Sequence, residues 1–156
     1  MERFLHTKHL IQIDDLSRSD IEEIFALAEY YLQKNKNKVE QKHHLQSFTQ
    51  INVFFENSTR TLASFELAGK KLGGIVQDIR IATSSIQKGE TLIDTALTLN
   101  AMRPNLLVVR HSSSGAVNLL SEKVNCSVLN AGDGSHEHPT QAVSYTHLRA
   151  HETVGN

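Results

Sequence analysis

Four short apolar segments, each followed by a polar loop and a helical segment, most strongly constrain the fold of this chain. They predict strands at 50–55, 75–79, 106–110 and 126–130. Helices are predicted after them at about 59–72, 91–102 and 115–123, with a last helix beginning near 140. Strands that alternate with helices favour a parallel sheet covered on both sides. We therefore predict an α/β fold, a three-layer domain with a mainly parallel four-stranded sheet and helices on both faces.

A helix also precedes the first strand. Ser19 and Glu22 have the spacing of a capping box, and apolar residues then recur at helical intervals as far as Leu32. The polar stretch 34–42 is typical of a solvated loop. The helix therefore forms an N-terminal addition to the strand-and-helix repeat.

Bulk properties limit the function classes without choosing one. The 156 residues suit one domain, and a formal net charge of -1 gives no basic surplus for nucleic acid or acidic lipid. No apolar run approaches the roughly 20 residues that a membrane helix needs. The single cysteine, Cys126, predicts no internal disulfide and fits a cytoplasmic location.

Ligands of open parallel sheets bind beyond the carboxyl ends of the strands, so the residues that follow each strand are the candidates. The first strand leads into S-T-R-T at 58–61, where helix N–H groups, hydroxyls and an arginine suit a compact anion. A plain helix cap beside a surface arginine explains the same four residues. Ser84 and Lys88 follow the second strand, where Lys88 offers a compact charge and a capped helix start is the alternative.

The third and fourth strands end in further donors. Arg110 follows an apolar strand with no acidic partner nearby in sequence, so an anionic ligand is a reasonable partner for it. His138 can donate to an oxygen that gains charge, and Gln141 can accept from an amino group or donate to an oxygen. A metal site formed by His136, His138 and His111 is an alternative, although no H-E-x-x-H helix or cysteine pair supports it.

Taken together, these motifs resemble the aspartate carbamoyltransferase family. The resemblance is carried by FFENSTRT, SFE, KGETLIDT, VVRH and NAGDGSHEHPTQA, and it covers about residues 1–142. Ornithine carbamoyltransferases share S-T-R-T and H-P-x-Q, but KGET and GDGSHEHPTQ are not expected of them in this form. The domain implied at 1–142 is the one that binds carbamoyl phosphate.

The resemblance implies a role for each matching residue. It implies a phosphate cradle formed by Ser58, Thr59, Arg60 and Thr61. Arg110 and His138 would polarise the carbamoyl oxygen with help from Thr61, and Gln141 would hold the carbamoyl amino group. Catalysis is thereby assigned to Arg60, Thr61, Arg110 and His138.

The resemblance also implies a reaction and an assembly. The carbamoyl group passes from carbamoyl phosphate to L-aspartate, giving N-carbamoyl-L-aspartate and phosphate in pyrimidine biosynthesis, with no metal or organic cofactor. Ser84 and Lys88 would enter the active site of a neighbouring subunit in a homotrimer, and Glu56 would link two domains on closure. A non-catalytic module that binds a phosphorylated metabolite and a metal-dependent hydrolase are the other functions considered.

The chain departs from the family after Ala142. The apolar helix expected there is replaced by residues 143–156, which lack its periodicity and suggest a non-native tail, with a divergent final helix as the alternative. An aspartate-binding domain is not found in these 156 residues. We therefore expect a fragment that does not transfer a carbamoyl group by itself.

Overall fold

The chain is described by a computed structural model over residues 5–36, 44–81, 91–135 and 137–143. Its strands, numbered in chain order, are β1 (Thr49–Phe54), β2 (Ile75–Arg80), β3 (Leu106–His111) and β4 (Ser127–Asp133). Its longer helices are α1 (Arg18–Lys36), α2 (Thr59–Lys71), α3 (Leu92–Ala101) and α4 (Ala116–Ser121). A 3-10 turn at Ile13–Asp15 and a short helical segment at 139–143 complete the described elements.

The four strands form one parallel sheet in the order β2-β1-β3-β4. Leu62 of α2 packs in a cluster on one side, with Phe54 and Val108. The larger cluster on the other side includes residues of α3 and α4, namely Ala96, Leu99, Val117 and Leu120. The predicted α/β class, parallel sheet and helices on both faces are thus confirmed.

The strand order creates a switch point between β1 and β3. The chain leaves β1 toward β2 on one side of the sheet, whereas β3 and β4 lie on the other side. Chain connections that diverge in this way leave a crevice at the carboxyl ends of the two central strands. Phe54 pairs with Arg110 at that end of the sheet. The loop after β1 and the end of β3 therefore flank the crevice.

The strands differ in burial, and the edge strand β4 is more buried than the edge strand β2 because the N-terminal segment at Leu10 bonds along it. The central strand β1 is buried along all but its first residue, whereas the edge strand β2 contains no fully buried residue. β4 continues to Asp133, beyond the predicted end at 130, because Asp133 pairs with His111 after an irregularity in the register. Gly132 therefore belongs to a strand rather than to the predicted loop.

The cap of α1 differs from the predicted capping box of Ser19 and Glu22. Ser17 Oγ accepts from the backbone N–H of Asp20 at 3.1 Å, and the Asp20 carboxylate accepts from the Ser17 N–H at 2.9 Å. Ser19 lies inside the helix, and Glu22 pairs with Arg18 one turn away. Ser17 and Asp20 form the cap instead of Ser19 and Glu22 because the Asp20 carboxylate is buried, whereas Ser19 and Glu22 lie at the surface.

A buried polar contact holds α2 against the sheet. The side-chain amide of Gln50, on β1, donates to the carbonyl oxygen of Phe65 in α2 at 3.0 Å and to the Asn52 side chain at 2.8 Å. Gly69 permits this approach, because a Cβ atom there would lie 3.0 Å from Gln50 Cδ. A directional bond of this kind defines the position of the helix more narrowly than apolar packing alone.

The polar stretch predicted as a loop at 34–42 is helical as far as Lys36 and lies outside the described residues from 37 onward. Two further predicted features lie outside the described residues. The stretch 82–90, with Ser84 and Lys88, is one of them, and the predicted tail is the other, apart from its first residue, Val143. Within the described ranges, no helix is long and apolar enough to cross a membrane.

Candidate functional site

The loop after β1 ends in a helix N-terminus that is open to a ligand. Ser58 is the N-cap residue of α2, as predicted, yet its side chain makes no capping hydrogen bond in the described structure. Its hydroxyl instead donates to Thr61 Oγ1 at 2.9 Å. The first turn of α2 contains no acidic residue. The helix therefore has no carboxylate within its own first turn to offset its positive end, which faces the crevice.

Arg110 is held at the end of β3 by two neighbouring segments. Its Nη1 donates to the carbonyl oxygen of Ala131 at 2.9 Å. Its Nε lies 2.6 Å from Glu56 Oε1 and forms an ion pair with it. Sequence reasoning missed this partner because Glu56 lies far away along the chain. Arg110 therefore has an acidic partner within the protein, and the lack of one can no longer be used to argue for an anionic ligand.

Gly132 gives the guanidinium its space. A Cβ atom on Gly132 would lie 2.8 Å from Cζ of Arg110 and nearer still to Nη1. The backbone φ of Gly132 is also positive, at +131°, which L side chains rarely adopt. Both facts explain why a glycine stands beside Arg110.

His138 begins the short helical segment at 139–143. Its carbonyl oxygen accepts from the N–H groups of Gln141 and Ala142, both at 3.0 Å. Burial, and then the charge of Arg110, lower the pKa of His138 below its ordinary value of 6.5. Both effects favour the neutral imidazole. A neutral imidazole retains one N–H that can donate to an oxygen in the crevice.

These side chains surround one groove of about 670 Å³. Among its lining residues are six predicted site residues, Ser58, Arg60, Thr61, Arg110, His138 and Gln141. Two of the six are arginines, and no acidic residue lines the groove. The groove is therefore cationic and rich in donors, which suits a small anion with further polar atoms.

Three predicted site residues lie elsewhere or are not described. Thr59 lines a neighbouring cavity of about 520 Å³, which it shares with Ser58 and Glu56. Its place at the start of α2 still leaves its backbone N–H at the helix terminus. Ser84 and Lys88 fall outside the described residues.

The groove also has lining residues that sequence reasoning missed. Ser64, Phe65 and Ala68 line it from α2, and Thr140 lines it beside His138. The three α2 residues follow Thr61 at intervals of three, four and seven, which place side chains on one helix face. That spacing is a signal by which they could have been found.

His111 does not line this groove, although it follows Arg110 directly. Its Nδ1 accepts from the backbone N–H of Ser113 at 2.9 Å, and its ring lies against Phe55 at 4.8 Å between centroids. Burial lowers its pKa, while the charges of Asp133 and Glu56 act in the opposite direction. No group of three potential metal ligands occurs within the described ranges, which do not include His136.

Comparison with known proteins gives a consistent result. The family described as "Aspartate/ornithine carbamoyltransferase, carbamoyl-P binding domain" matches residues 8–147. The aspartate carbamoyltransferase catalytic subunit of Ruegeria pomeroyi is 62% identical over 140 residues, covering 90% of this chain and 45% of that protein. The corresponding subunit of Paracoccus denitrificans is 61% identical over 136 residues, covering 87% of this chain and 43% of that protein.

Solved structures agree with the sequence relatives. The catalytic subunit of M. jannaschii aspartate transcarbamoylase superposes with a TM-score of 0.84 at 38% identity, covering 94% of this chain and 48% of that one. The Trypanosoma cruzi aspartate transcarbamoylase in complex with carbamoyl phosphate and aspartate gives 0.83 at 38% identity, with coverage of 92% and 44%. The chain spans less than half the length of the relatives it matches.

Proposed function

The chain belongs to the aspartate/ornithine carbamoyltransferase family, and from this premise we propose that its groove binds carbamoyl phosphate as part of the active site of an aspartate carbamoyltransferase. The observation that supports the proposal most directly is the single groove shared by the start of α2, Arg110 and His138. Three separate segments that meet there offer cationic and neutral donors to one small molecule. The relatives' names favour L-aspartate over ornithine as the second substrate.

We propose that the phosphate group lies at the N-terminus of α2. The N–H groups of the first turn, the hydroxyls of Ser58 and Thr61 and the guanidinium of Arg60 would share its charge. Thr59 contributes through its backbone, because its side chain lines the neighbouring cavity. Arg60 supplies the positive charge for the phosphate, whereas the charge of Arg110 is shared with Glu56.

The carbamoyl group would then extend toward β3 and the short helical segment. Arg110 and His138 donate to its carbonyl oxygen with the help of Thr61, and Gln141 holds its amino group. The amine of L-aspartate attacks the carbonyl carbon, the new C–N bond forms, and the C–O bond to phosphate breaks. The departing phosphate takes the proton of the amine. No protein nucleophile is needed, so the protein acts by positioning and by stabilising the oxyanion.

Three further parts of the proposal rest on the family resemblance. Ser84 and Lys88 are assigned to the active site of a neighbouring subunit in a homotrimer. L-aspartate is assigned to residues beyond those of this chain, so the chain alone is expected to bind the first substrate without transferring its carbamoyl group. A cytoplasmic location is proposed because the only cysteine, Cys126, is buried and unpaired.

Calorimetric titration with two phosphonates can distinguish binding at the phosphate site from binding at the carbamoyl site of the groove. Phosphonoacetamide keeps the dianion and the carboxamide of carbamoyl phosphate, whereas methylphosphonate keeps only the dianion. Arg60→Ala should weaken both by about 10- to 100-fold, the range expected for a lost charge-assisted hydrogen bond. His138→Ala should weaken phosphonoacetamide and leave methylphosphonate unchanged.

The matched control is Arg18→Ala. Arg18 is 92% exposed and pairs with Glu22 on α1, so its removal alters net charge without altering the groove. It should leave both affinities unchanged. Wild-type affinities in the Arg60→Ala chain would refute the phosphate site. Equal affinities of the wild-type chain for the two phosphonates would favour a module that binds phosphorylated metabolites in general.

Steady-state kinetics of the complete enzyme can test whether His138 stabilises the oxyanion. His138→Ala should lower kcat by about 10²–10³, as is typical when one donor to an oxyanion is removed. KM for carbamoyl phosphate should change much less. Comparable losses in kcat and in substrate affinity would contradict the assignment.

A further inference from the structure

Glu137 makes a contact that the proposed function does not use. Its carboxylate oxygen Oε2 accepts from the backbone N–H of Ile13 at 2.8 Å, across 124 positions of the chain. We propose that Glu137 is a positioning residue that holds His138 in the groove, by tying the loop after β4 to the N-terminal segment. This inference rests on the proposed function, because it concerns the same groove.

The backbone of Glu137 is fixed as well as its side chain. Its carbonyl oxygen accepts from the N–H of Asp133 at 3.0 Å, and the two residues form an antiparallel bridge. Asp133 is itself 2% exposed, and its Oδ2 accepts from the N–H of Gly115 at 2.9 Å. The loop is therefore closed onto the end of β4 immediately before His138.

The N-terminal segment that receives Glu137 is firmly placed. Leu10 donates to the carbonyl oxygen of Val128 at 2.8 Å and accepts from the N–H of Asn130 at 2.9 Å. The buried side chain of Asn130 also donates to the carbonyl oxygen of Ile11 at 2.8 Å. These bonds attach the segment along β4, so the Ile13 N–H is a fixed point rather than a mobile terminus.

His138 is thus the first residue after an anchored one. The carbonyl oxygen of His138 accepts the first hydrogen bonds of the helical segment, and these bonds fix the chain on the downstream side of His138. Among the described residues, loss of the Glu137 carboxylate would leave the backbone bridge to Asp133 and the bond from the Gly134 N–H to the His111 carbonyl oxygen on the upstream side. The imidazole would then move relative to Arg110, its neighbour in the groove. The carboxamide subsite should weaken, whereas the phosphate subsite at α2 should be unaffected.

The test uses two pairs of variants of the 156-residue chain. Glu137→Ala removes the oxygen that accepts from the Ile13 N–H, and Glu137→Gln keeps a side-chain oxygen at the same distance from the backbone. Ile13→Pro removes the N–H donor, and Ile13→Ala keeps that N–H while shortening the side chain. Proline suits this position because Gln12 before it is extended, at φ -141° and ψ 160°, and Ile13 is the first residue of the 3-10 turn.

Two measurements apply to each variant. The first is the pKa of the His138 ring without ligand, read by NMR and assigned with His138→Ala. The second is the affinity for phosphonoacetamide and for methylphosphonate. Glu137→Ala and Ile13→Pro should each move the pKa of His138 toward 6.5 and weaken phosphonoacetamide about tenfold, with methylphosphonate unchanged. Glu137→Gln and Ile13→Ala should match the wild-type chain.

The outcomes separate this inference from the proposed function. A wild-type pKa and affinity in both Glu137→Ala and Ile13→Pro would overturn the positioning role, as would equal effects of alanine and glutamine at Glu137. If Glu137→Ala does not fold, the two Ile13 variants decide the question. A shifted His138 pKa in a chain that binds neither phosphonate would support the positioning role and refute the proposed ligand.

Discussion

Gly132→Ala should damage both the groove and the stability of the fold. The new Cβ atom would lie 2.8 Å from Cζ of Arg110 and nearer still to its Nη1. The guanidinium is the far end of a flexible side chain, so it can swing away from the new methyl group. In doing so it would lose the bond from Nη1 to the Ala131 carbonyl oxygen. The substitution therefore removes Arg110 from its position without altering Arg110 itself.

The size of the effect follows from two contributions. A non-glycine residue in the left-handed region costs about 1–3 kcal/mol. The lost hydrogen bond to a charged group costs about 1.5–3 kcal/mol more. Because the Arg110 side chain is 22% exposed, water recovers part of the second contribution, and its lower end is expected. The total is a large share of the roughly 5–15 kcal/mol that stabilises a typical domain.

Gly115→Ala is the control for backbone strain alone. Gly115 also has a positive φ, +84°, but a Cβ atom there would meet nothing within 4 Å. It should therefore lose only about 1–3 kcal/mol. Urea unfolding monitored by circular dichroism measures both variants, and calorimetry measures phosphonoacetamide binding. Gly132→Ala should bind at least about tenfold more weakly, as one lost charged hydrogen bond predicts, and Gly115→Ala should bind normally.

Two results would refute this reasoning. Wild-type affinity in Gly132→Ala would show that the placement of Arg110 does not depend on the absence of a side chain at 132. An equal loss of affinity in Gly115→Ala would attribute the effect to backbone strain rather than to displacement of the guanidinium.

Three further predictions concern stability. The free energy of unfolding should be lower at pH 5.5 than at pH 7.5 in urea titrations, because folding lowers the pKa of His9, His111 and His138. Their contribution to stability is complete above about pH 6.5, the ordinary pKa of histidine, and is lost as the pH falls below it. Equal free energies at the two pH values would contradict this. Ser17→Ala should cost about 1 kcal/mol as the loss of a cap, and Ser19→Ala should cost less in the same titration. Leu107→Ala, fully buried in the core, should cost about 2–5 kcal/mol, whereas Leu97→Ala, 55% exposed, should stay within about 0.5 kcal/mol.

The sequence by itself determined the architecture and the approximate position of the groove. Apolar runs and helix signals repeat in a local pattern, and local patterns are what backbone propensity and side-chain periodicity control. The rule that ligands lie beyond the carboxyl ends of parallel strands then places S-T-R-T, Arg110 and His138 at one edge of the sheet. The structure brings Ser58, Arg60, Thr61, Arg110 and His138 around one groove, and the chemical role of each is a proposal.

Only the tertiary structure decided which residues contact one another across the chain. The ion pair of Glu56 with Arg110 and the bond from Ile13 to Glu137 join segments that no sequence spacing relates. Likewise, the side chain of Thr59 lies in a different cavity from Arg60, because neighbouring residues on a helix point in different directions. Long-range contacts depend on how the loops pack against one another and against the sheet. The periodicity of apolar residues along the sequence does not predict that packing.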